Sequence, residues 1–171
     1  MDGVRPLASS IATERLLLEV RGAESAGVQR ALMAEQGRPV TRSLAEEEAR
    51  LADQHAAFDA TGIGFLSIRL RETGDEVGYC GLLVGRHSLE EPEIAFEVLR
   101  SAQGRGVATE AARALVAATW ETGRERLWAT TRPDNLASLR VAAKSGFVEH
   151  HRTLDEQGEV VHLLISGGGR L

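Results

Sequence analysis

Cysteine, lysine and aromatic residues are scarce in this chain, and each shortage excludes a class of structure or site. Cys80 is the one cysteine among 171 residues, which rules out an internal disulfide and is typical of a reducing compartment. Aromatic residues make up 4% of the chain, too few for an obvious platform on which nucleic-acid bases stack. Lys144 is the one lysine, so a lysine-dependent phosphate site has a single possible place.

Long apolar runs and an excess of positive charge are also missing. The net charge is −5, which argues against non-specific binding to nucleic acid or to an anionic membrane. No apolar run is long enough to span a bilayer, and Thr13, Glu14 and Arg15 interrupt the apolar stretch that a signal peptide would need. We therefore expect a cytoplasmic protein without nucleic-acid or membrane partners.

What remains is an ordinary globular composition, with 43% hydrophobic and 26% charged residues. The length suits a single domain over residues 1–171, with flexible ends at 1–12 and 167–171. Apolar periodicity and glycine breaks predict a strand, two helices, several antiparallel strands, a helix, a strand, a helix and a final hairpin. The expected fold class is α+β: a mixed, mostly antiparallel twisted sheet flanked by about four helices.

The most informative segment is Gln103-Gly104-Arg105-Gly106, a glycine turn between a predicted strand at 93–99 and a predicted helix at 107–122. The first turn of a helix leaves N–H groups unpaired and carries the positive end of the helix dipole, which together attract phosphate. Glycine has no Cβ, so a ligand can approach the backbone closely. We predict a phosphate or pyrophosphate site here, inside a strand–helix–strand crossover over residues 93–131.

Several explanations of this turn follow from the residues alone. A dinucleotide-binding turn would need a third glycine where Thr109 stands, and a Walker turn would need a lysine, whereas Lys144 lies elsewhere. A plain tight turn before a helix has no such requirement. It remains an alternative to a phosphate site, because a glycine motif alone is a weak signal.

A further explanation comes from resemblance to a known family. The segment from Gln103 to Ala108 fits the Q/R-x-x-G-x-G/A signature of the GNAT N-acetyltransferases. Other segments resemble, in the right order, the branch that contains the ribosomal-protein N-terminal acetyltransferases RimJ and RimL. These segments, which extend the resemblance over most of the chain, are Thr13-Glu14-Arg15-Leu16-Leu17-Leu18, Glu93-Ile94-Ala95-Phe96, Ala108-Thr109-Glu110-Ala111, Asn135-Leu136-Ala137-Ser138 and Lys144-Ser145-Gly146-Phe147.

The resemblance implies a GNAT fold whose central crossover binds acetyl-coenzyme A as co-substrate, without a metal. Backbone N–H groups of the turn and of the following helix would hold the pyrophosphate, and the N–H of Val98 would polarise the acetyl carbonyl. Strand neighbours of Val98 would hydrogen-bond the pantetheine arm. Asn135 would bind the coenzyme arm, and its alternative role is that of a helix N-cap. The implied coenzyme-binding residues are Val98, Gln103, Gly104, Arg105, Gly106, Ala108, Thr109, Asn135 and Ser138.

The general acid expected from the family is missing. Many members carry a tyrosine in the last helix that protonates the leaving thiolate, but Ala142 aligns there, and the one tyrosine, Tyr79, lies on a different predicted strand. The resemblance implies that Ser138 donates instead, directly or through water. Its alternative role is a first-turn serine bonded to the backbone. A thiol with a pKa near ~8.5 leaves readily as thiolate, so a weak acid would suffice.

The amine must lose a proton before it attacks, and Glu93 is the first candidate for the base. It begins the cofactor strand and matches a glutamate of the branch, while a surface carboxylate at a strand end is the alternative. Glu97 is a weaker candidate. The two lie four residues apart on one strand, so we expect them to face the same side of the sheet.

The implied reaction is direct attack of a primary amine on acetyl-coenzyme A in a ternary complex, with Glu93, Ser138 and Val98 as catalytic residues. The acceptor is a peptide N-terminus or a small molecule such as an antibiotic, polyamine or amino acid, and residues 23–62 would line its pocket. A longer acyl group and a non-catalytic acyl-coenzyme A sensor remain alternatives. Dimers are common in the branch, which makes a homodimer a further expectation.

No residue pattern predicts a metal site. His150 and His151 are adjacent on a predicted strand, so their side chains are expected on opposite faces. The spacings of His55, His87 and His162 match no metal motif. Cys80 is expected in the core rather than as a nucleophile.

Overall fold

The computed structural model describes residues 3–167, over which eight strands form one sheet in the order β1-β2-β3-β4-β5-β6-β8-β7. Neighbouring strands are antiparallel except β5 and β6, which are parallel. The strands are β1 Ser10–Ala12, β2 Leu16–Val20, β3 Phe65–Leu70, β4 Glu76–Leu83, β5 Glu93–Val98, β6 Arg126–Thr131, β7 Val148–Asp155 and β8 Gly158–Ser166.

Four α-helices flank this sheet within the described residues: α1 Ala26–Glu35, α2 Leu44–Thr61, α3 Val107–Glu121 and α4 Leu136–Lys144. The predicted α+β class is therefore confirmed, and the order of elements follows the prediction except for the additional short strand β1. Local sequence signals explain the helix ends. Ser43 and Glu46 form a reciprocal capping box at the start of α2, and Gly62 ends it in the left-handed conformation.

The segment before β2 is packed into the fold. Residues 10–12 pair with β2, Leu7 is buried, and the Arg5 N–H donates to the Thr122 carbonyl at 2.8 Å. This packing differs from the flexible start expected for residues 1–12. Residues 1–2 and most of the expected C-terminal tail, 168–171, lie outside the described residues.

The core lies between one face of the sheet and the apolar side of α3. Alternate residues of the central strands point to this face, which we call the core face, and Val107, Ala111 and Leu115 of α3 pack against it. The predicted amphipathic spacing of α3 is thus confirmed. Cys80 is fully buried, and burial raises the pKa of its thiol to about 12, so it is a core residue as expected.

The opposite face of the sheet carries polar side chains and meets α1 and α2. Arg21 is buried there, donates to the Gln29 side chain of α1, and lies over the Tyr79 ring with Cζ 4.4 Å from the centroid. Glu47 of α2 is also buried and pairs with Arg50. We call this side of the sheet the polar face. No helix within residues 3–167 is long and apolar enough to cross a membrane.

Candidate active site

The parallel strands β5 and β6 meet at one end and part toward the other. Their register contains a single pair, Glu93 with Trp128, and the Trp128 N–H donates to the Pro92 carbonyl at 2.9 Å. Beyond this pair the two strands diverge. A gap therefore opens between them toward the carboxyl end of β5.

The backbone of β5 presents hydrogen-bonding groups to this gap. Peptide groups of successive strand residues point to alternate sides, and the Leu99 N–H donates to the Val77 carbonyl, toward β4, at 2.8 Å. The N–H and carbonyl of Val98 therefore point toward β6. The Gln103 Nε2 donates to the Val98 carbonyl at 3.1 Å, which leaves the Val98 N–H facing the gap. An extended ligand can add here as a strand does.

The glycine turn lies directly after this strand and concentrates unpaired donors. Gly104 and Gly106 have φ angles of +74° and +76°, a conformation that side chains with a Cβ disfavour. Helix α3 has no side-chain N-cap. The backbone N–H groups from Gly104 to Thr109 have no acceptor within residues 3–167, and the first helical bond is from Glu110 to the Gly106 carbonyl at 2.9 Å. This geometry suits a phosphate group.

A carboxylate clamp holds the turn in place. Glu110 accepts from the Thr13 hydroxyl at 2.6 Å, from the Arg15 N–H at 3.1 Å and from Arg15 Nε at 2.6 Å. Arg15 Nη1 also donates to the Arg105 carbonyl at 2.9 Å. Partial burial acts to raise the pKa of Glu110, but these donors together lower it. Two segments that matched the family separately are thus one structural unit.

Charged side chains of both signs surround the turn. A cavity of about 490 Å³ opens beside it. The residues that line this cavity include three arginines and two glutamates: Glu14, Arg15, Leu70, Arg71, Glu72, Arg105 and Val107.

Asn135 and Ser138 lie at the far side of the gap, after β6. The Asn135 Oδ1 accepts from the Ser138 N–H at 3.2 Å, so Asn135 is an N-cap of α4. The Ser138 hydroxyl has no hydrogen-bond partner within the described residues. Asn135 also lines a cavity of about 230 Å³, together with Arg86, Thr130, Thr131, Arg132 and Val160. Ala142 is buried in the core and offers no acid.

Glu93 lies at the closed end of the gap rather than at the surface. It is 5% exposed, and it accepts from the Arg86 N–H at 2.5 Å and from the Thr130 hydroxyl at 2.8 Å. Val98 is five residues further along β5, about 16 Å away at the usual strand rise. The structure therefore does not bring Glu93 and Val98 together.

Glu97 precedes Val98 on β5, and its side chain lies on the polar face. The register of β4 and β5 pairs Leu83 with Glu93 and Tyr79 with Glu97, so both glutamates face the same side, as predicted. The Glu97 side chain is 20% exposed, and its Oε2 lies 2.8 Å from Arg38 Nη2. Of the two candidate bases, Glu97 is the one near the open end of the gap.

Comparison with known proteins identifies this arrangement. Residues 5–148 match the family described as "Acetyltransferase (GNAT) domain". The chain belongs to the GNAT acetyltransferase family. It is therefore an acyltransferase, and its sheet and central crossover are the GNAT fold. No curated protein matches the chain.

Solved structures of GNAT enzymes align over nearly the whole chain. A GNAT-family acetyltransferase from Bordetella pertussis is 26% identical, covers 92% of this chain and 99% of its own, with a TM-score of 0.77. An acetyltransferase from Agrobacterium tumefaciens is also 26% identical and covers 96% and 98%, with a TM-score of 0.76. RimL, a ribosomal alpha-N-protein acetyltransferase in complex with coenzyme A, shares the fold at 15% identity, 92% and 97% coverage and a TM-score of 0.78.

Tyr79 lies beside the candidate site, a position that the sequence does not indicate. It lies opposite Glu97 in the sheet, and Gly78 lies opposite Val98. Burial, followed by the charge of Glu97, raises the pKa of the Tyr79 hydroxyl well above its usual value, so it stays protonated. The contact between Tyr79 and Glu97 depends on the register of β4 and β5, which the sequence does not indicate.

A histidine cluster covers the polar face near the closed end of the gap. The sequence placed His150 and His151 on opposite faces, but a bulge between Glu149 and His151 brings their Nδ1 atoms within 2.8 Å, so that expectation is wrong. The His151 and His162 rings stack at 4.2 Å, and His87 stacks on Trp128 at 4.3 Å. No group of three potential ligands within residues 3–167 is arranged to hold a metal ion.

Proposed function

We propose that this GNAT enzyme transfers an acetyl group from acetyl-coenzyme A to a primary amine, by direct attack in a ternary complex. One observation carries the proposal. The open gap at Val98 and the unpaired N–H groups of the glycine turn follow one another at the end of β5. A single ligand with an extended arm and a pyrophosphate can use both, and acetyl-coenzyme A is such a ligand.

Each part of the coenzyme has a proposed partner. The pyrophosphate accepts from the N–H groups of Gly104, Arg105, Gly106, Ala108 and Thr109. The pantetheine arm lies in the gap and bonds the β5 backbone at Val98. Asn135 and Ser138 bind the arm from the other side of the gap, and Gln103 fixes the Val98 carbonyl. Relatives of the same fold have been solved with coenzyme A and with acetyl-CoA and AMP.

The proposed chemistry follows from these positions. The Val98 N–H donates to the acetyl carbonyl and to the oxyanion that forms there, a role usually worth about 3 kcal/mol. The amine nitrogen bonds to the carbonyl carbon as the carbon–sulfur bond breaks. The amine proton passes to a carboxylate, and the thiolate leaves as such or takes a proton from the Ser138 hydroxyl.

Two carboxylates are proposed as acceptors of the amine proton. Direct transfer favours Glu97, because it adjoins Val98, whereas Glu93 is buried about 16 Å along the strand. The predicted role of Glu93 as base would then need a chain of water or side chains from the gap to its carboxylate. A base matters most for a side-chain or polyamine acceptor, because such amines have a pKa near ~10.4 and are protonated at neutral pH.

The acceptor class is proposed as either a peptide N-terminus or a small-molecule amine. Similar structures include ribosomal-protein acetyltransferases and the Microcin C7 self-immunity acetyltransferase MccE. At 13–16% identity these likenesses support the fold alone. We also propose a cytoplasmic location, no nucleic-acid or membrane partner, no metal, and a homodimer as one possible assembly.

Ligand-dependent melting tests the coenzyme claim. Acetyl-coenzyme A should raise the melting temperature, and NAD and ATP should not, because only acetyl-coenzyme A has an arm that enters the gap. Equal shifts with all three, or none, would contradict the claim. Thiol release with N-terminal peptides, polyamines and aminoglycosides then distinguishes the acceptor classes. Binding without turnover across this panel would favour an acyl-coenzyme A sensor.

A further inference from the structure

The connection between α1 and α2 is tied to the reaction strand by one side chain. Arg38 extends from this connection, residues 36–43, and its Nη2 lies 2.8 Å from Glu97 Oε2. Gly37 turns the chain with a φ angle of +66°, and the Arg38 N–H donates to the Met33 carbonyl at 2.9 Å. The backbone at Arg38 is thus fixed to α1, and the side chain reaches the carboxylate next to Val98.

The ion pair is an incomplete one. Arg38 Nε is buried and has no acceptor within the described residues, although a guanidinium can bind a carboxylate through two N–H groups at once. The Arg38 side chain is 40% exposed. Partly exposed pairs of this kind are weak. A competing cation can therefore replace Arg38 on Glu97 at low cost.

A cationic acceptor needs the same position. An amine that attacks the thioester at Val98 from the polar face meets the Glu97 carboxylate first, and a protonated primary amine resembles a guanidinium in charge and in N–H donors. Tyr79, opposite Glu97, supplies a hydroxyl that stays protonated. Arg21 cannot replace Arg38 in the ion pair with Glu97, because Arg21 is buried and bonded to Gln29.

We propose that Arg38 occupies the place of the acceptor ammonium in the free enzyme, and that a cationic primary amine displaces it from Glu97. This inference rests on the proposed acetyl transfer and deepens it. Displacement frees the connection between α1 and α2 at the moment the acceptor binds. Arg38 is then a specificity-determining residue that selects acceptors able to compete for Glu97, and Glu97 is the group that receives them.

Steady-state kinetics of Arg38→Gln test the inference. Arg126→Gln is the control, because Arg126 lies outside the proposed acceptor pocket and forms an exposed pair with Glu91 at 3.4 Å. The acceptor probes are spermidine, kanamycin and a peptide with an N-terminal serine, at saturating acetyl-coenzyme A. Removing a weak competing pair should lower, by about fivefold, the KM of whichever amine probe is acetylated. The kcat should stay within about twofold, and Arg126→Gln should change neither constant.

A double variant isolates the role of Glu97. Arg38→Gln should bring no gain when Glu97→Gln is also present, because the competition no longer exists. A raised KM or a lowered kcat in Arg38→Gln alone would overturn the inference and leave the proposed function intact. It would show that Arg38 positions Glu97.

Absence of turnover in every variant would test the proposed function rather than the role of Arg38. If acetyl-coenzyme A binds but neither the native protein nor any variant acetylates a probe, the proposed function fails. Hydrogen exchange of residues 36–43 then reports on the ion pair without any activity. Faster exchange in Arg38→Gln than in Arg126→Gln would support the restraint of the connection by the Arg38–Glu97 pair, and equal exchange would overturn it.

Discussion

Arg15 and Glu110 join the start of the sheet to the start of α3. Arg15 Nε lies 2.6 Å from Glu110 Oε2, and Arg15 Nη1 donates to the Arg105 carbonyl at 2.9 Å. One guanidinium thus bonds both the turn and the helix that follows it. The orientation of the unpaired N–H groups in the turn depends on this pair.

Glu110→Gln should loosen the turn. The amide keeps the size of the side chain but accepts less strongly from Thr13 and Arg15, so we expect a loss of about 1–2 kcal/mol in the free energy of unfolding. Coenzyme A should also bind several-fold more weakly. Urea unfolding and calorimetry measure the two effects. Glu121→Gln, at the exposed end of the same helix, is the control, and an equal change there would argue against the clamp.

Gly104→Ala should weaken coenzyme binding. An alanine Cβ would meet no protein atom within 4 Å, but φ is +74°, which costs alanine about 1 kcal/mol. In the proposed binding mode, the new methyl group also obstructs the approach of a phosphate to the turn. Gly123 is a matched control, because its φ is +87° and a Cβ added there would likewise meet nothing within 4 Å.

The two glycine variants should therefore lose similar stability and differ in affinity. The Kd for coenzyme A should rise at least about tenfold in Gly104→Ala, the equivalent of losing one charge-assisted hydrogen bond. In Gly123→Ala it should stay unchanged. Equal affinities in calorimetry would remove the turn from the coenzyme site.

Glu97→Gln should lower kcat/KM about 10²-fold, because an amide cannot accept the amine proton. Glu93→Gln should act mainly on stability, since the Glu93 carboxylate is bonded to Arg86 and Thr130 inside the fold. Kinetics with each variant, checked against its unfolding curve, separate the two. If Glu93→Gln lowers kcat/KM by as much without any loss of stability, Glu93 is the base.

Ser138→Ala should lower kcat about tenfold, which is less than the 10²–10⁴-fold typical of general-acid catalysis, because a thiolate leaves well unaided. The backbone N–H that Asn135 caps remains, so the helix should keep its stability. The comparison is single-turnover acetyl transfer by the variant and the native enzyme. An unchanged rate would mean that Ser138 gives no proton to the thiolate.

Stability should fall as the pH is lowered from about 7 toward 5.5. Burial lowers the pKa of His87 and of His162 below the ordinary value of 6.5. The unfolded chain therefore binds protons at a pH where the folded chain does not, and stability is lost as pH falls through the unfolded pKa. Chemical unfolding across this range measures the slope. The double variant His87→Asn, His162→Asn should flatten it, and an unaltered slope would assign it to other groups.

Local features of this enzyme were predictable from its sequence. The glycine turn, the capping box at Ser43, the core position of Cys80 and the apolar side of α3 each depend on residues close together in the chain. The order of elements followed from the same periodicity. These features set the fold class and the proposed site of the pyrophosphate.

Features that depend on strand register were not predictable. Tyr79 meets Glu97 because β4 and β5 pair in one register among several. One extra residue at the bulge places His150 with His151 on one face. The burial of Glu93 likewise depends on Thr130, which β6 brings from the far side of the crossover. Periodicity tells which side of a strand a residue faces, but it does not tell which neighbour it meets.

We propose that acetyl-coenzyme A bound at the glycine turn donates its acetyl group to an amine at Val98. Mass spectrometry of an amine panel, incubated with acetyl-coenzyme A and either the native enzyme or Gly104→Ala, tests it most directly. We predict one acetylated amine for each coenzyme A released by the native enzyme, and strongly reduced product with Gly104→Ala. Tight acetyl-coenzyme A binding without any acetylated amine, or full activity in Gly104→Ala, would overturn this proposal.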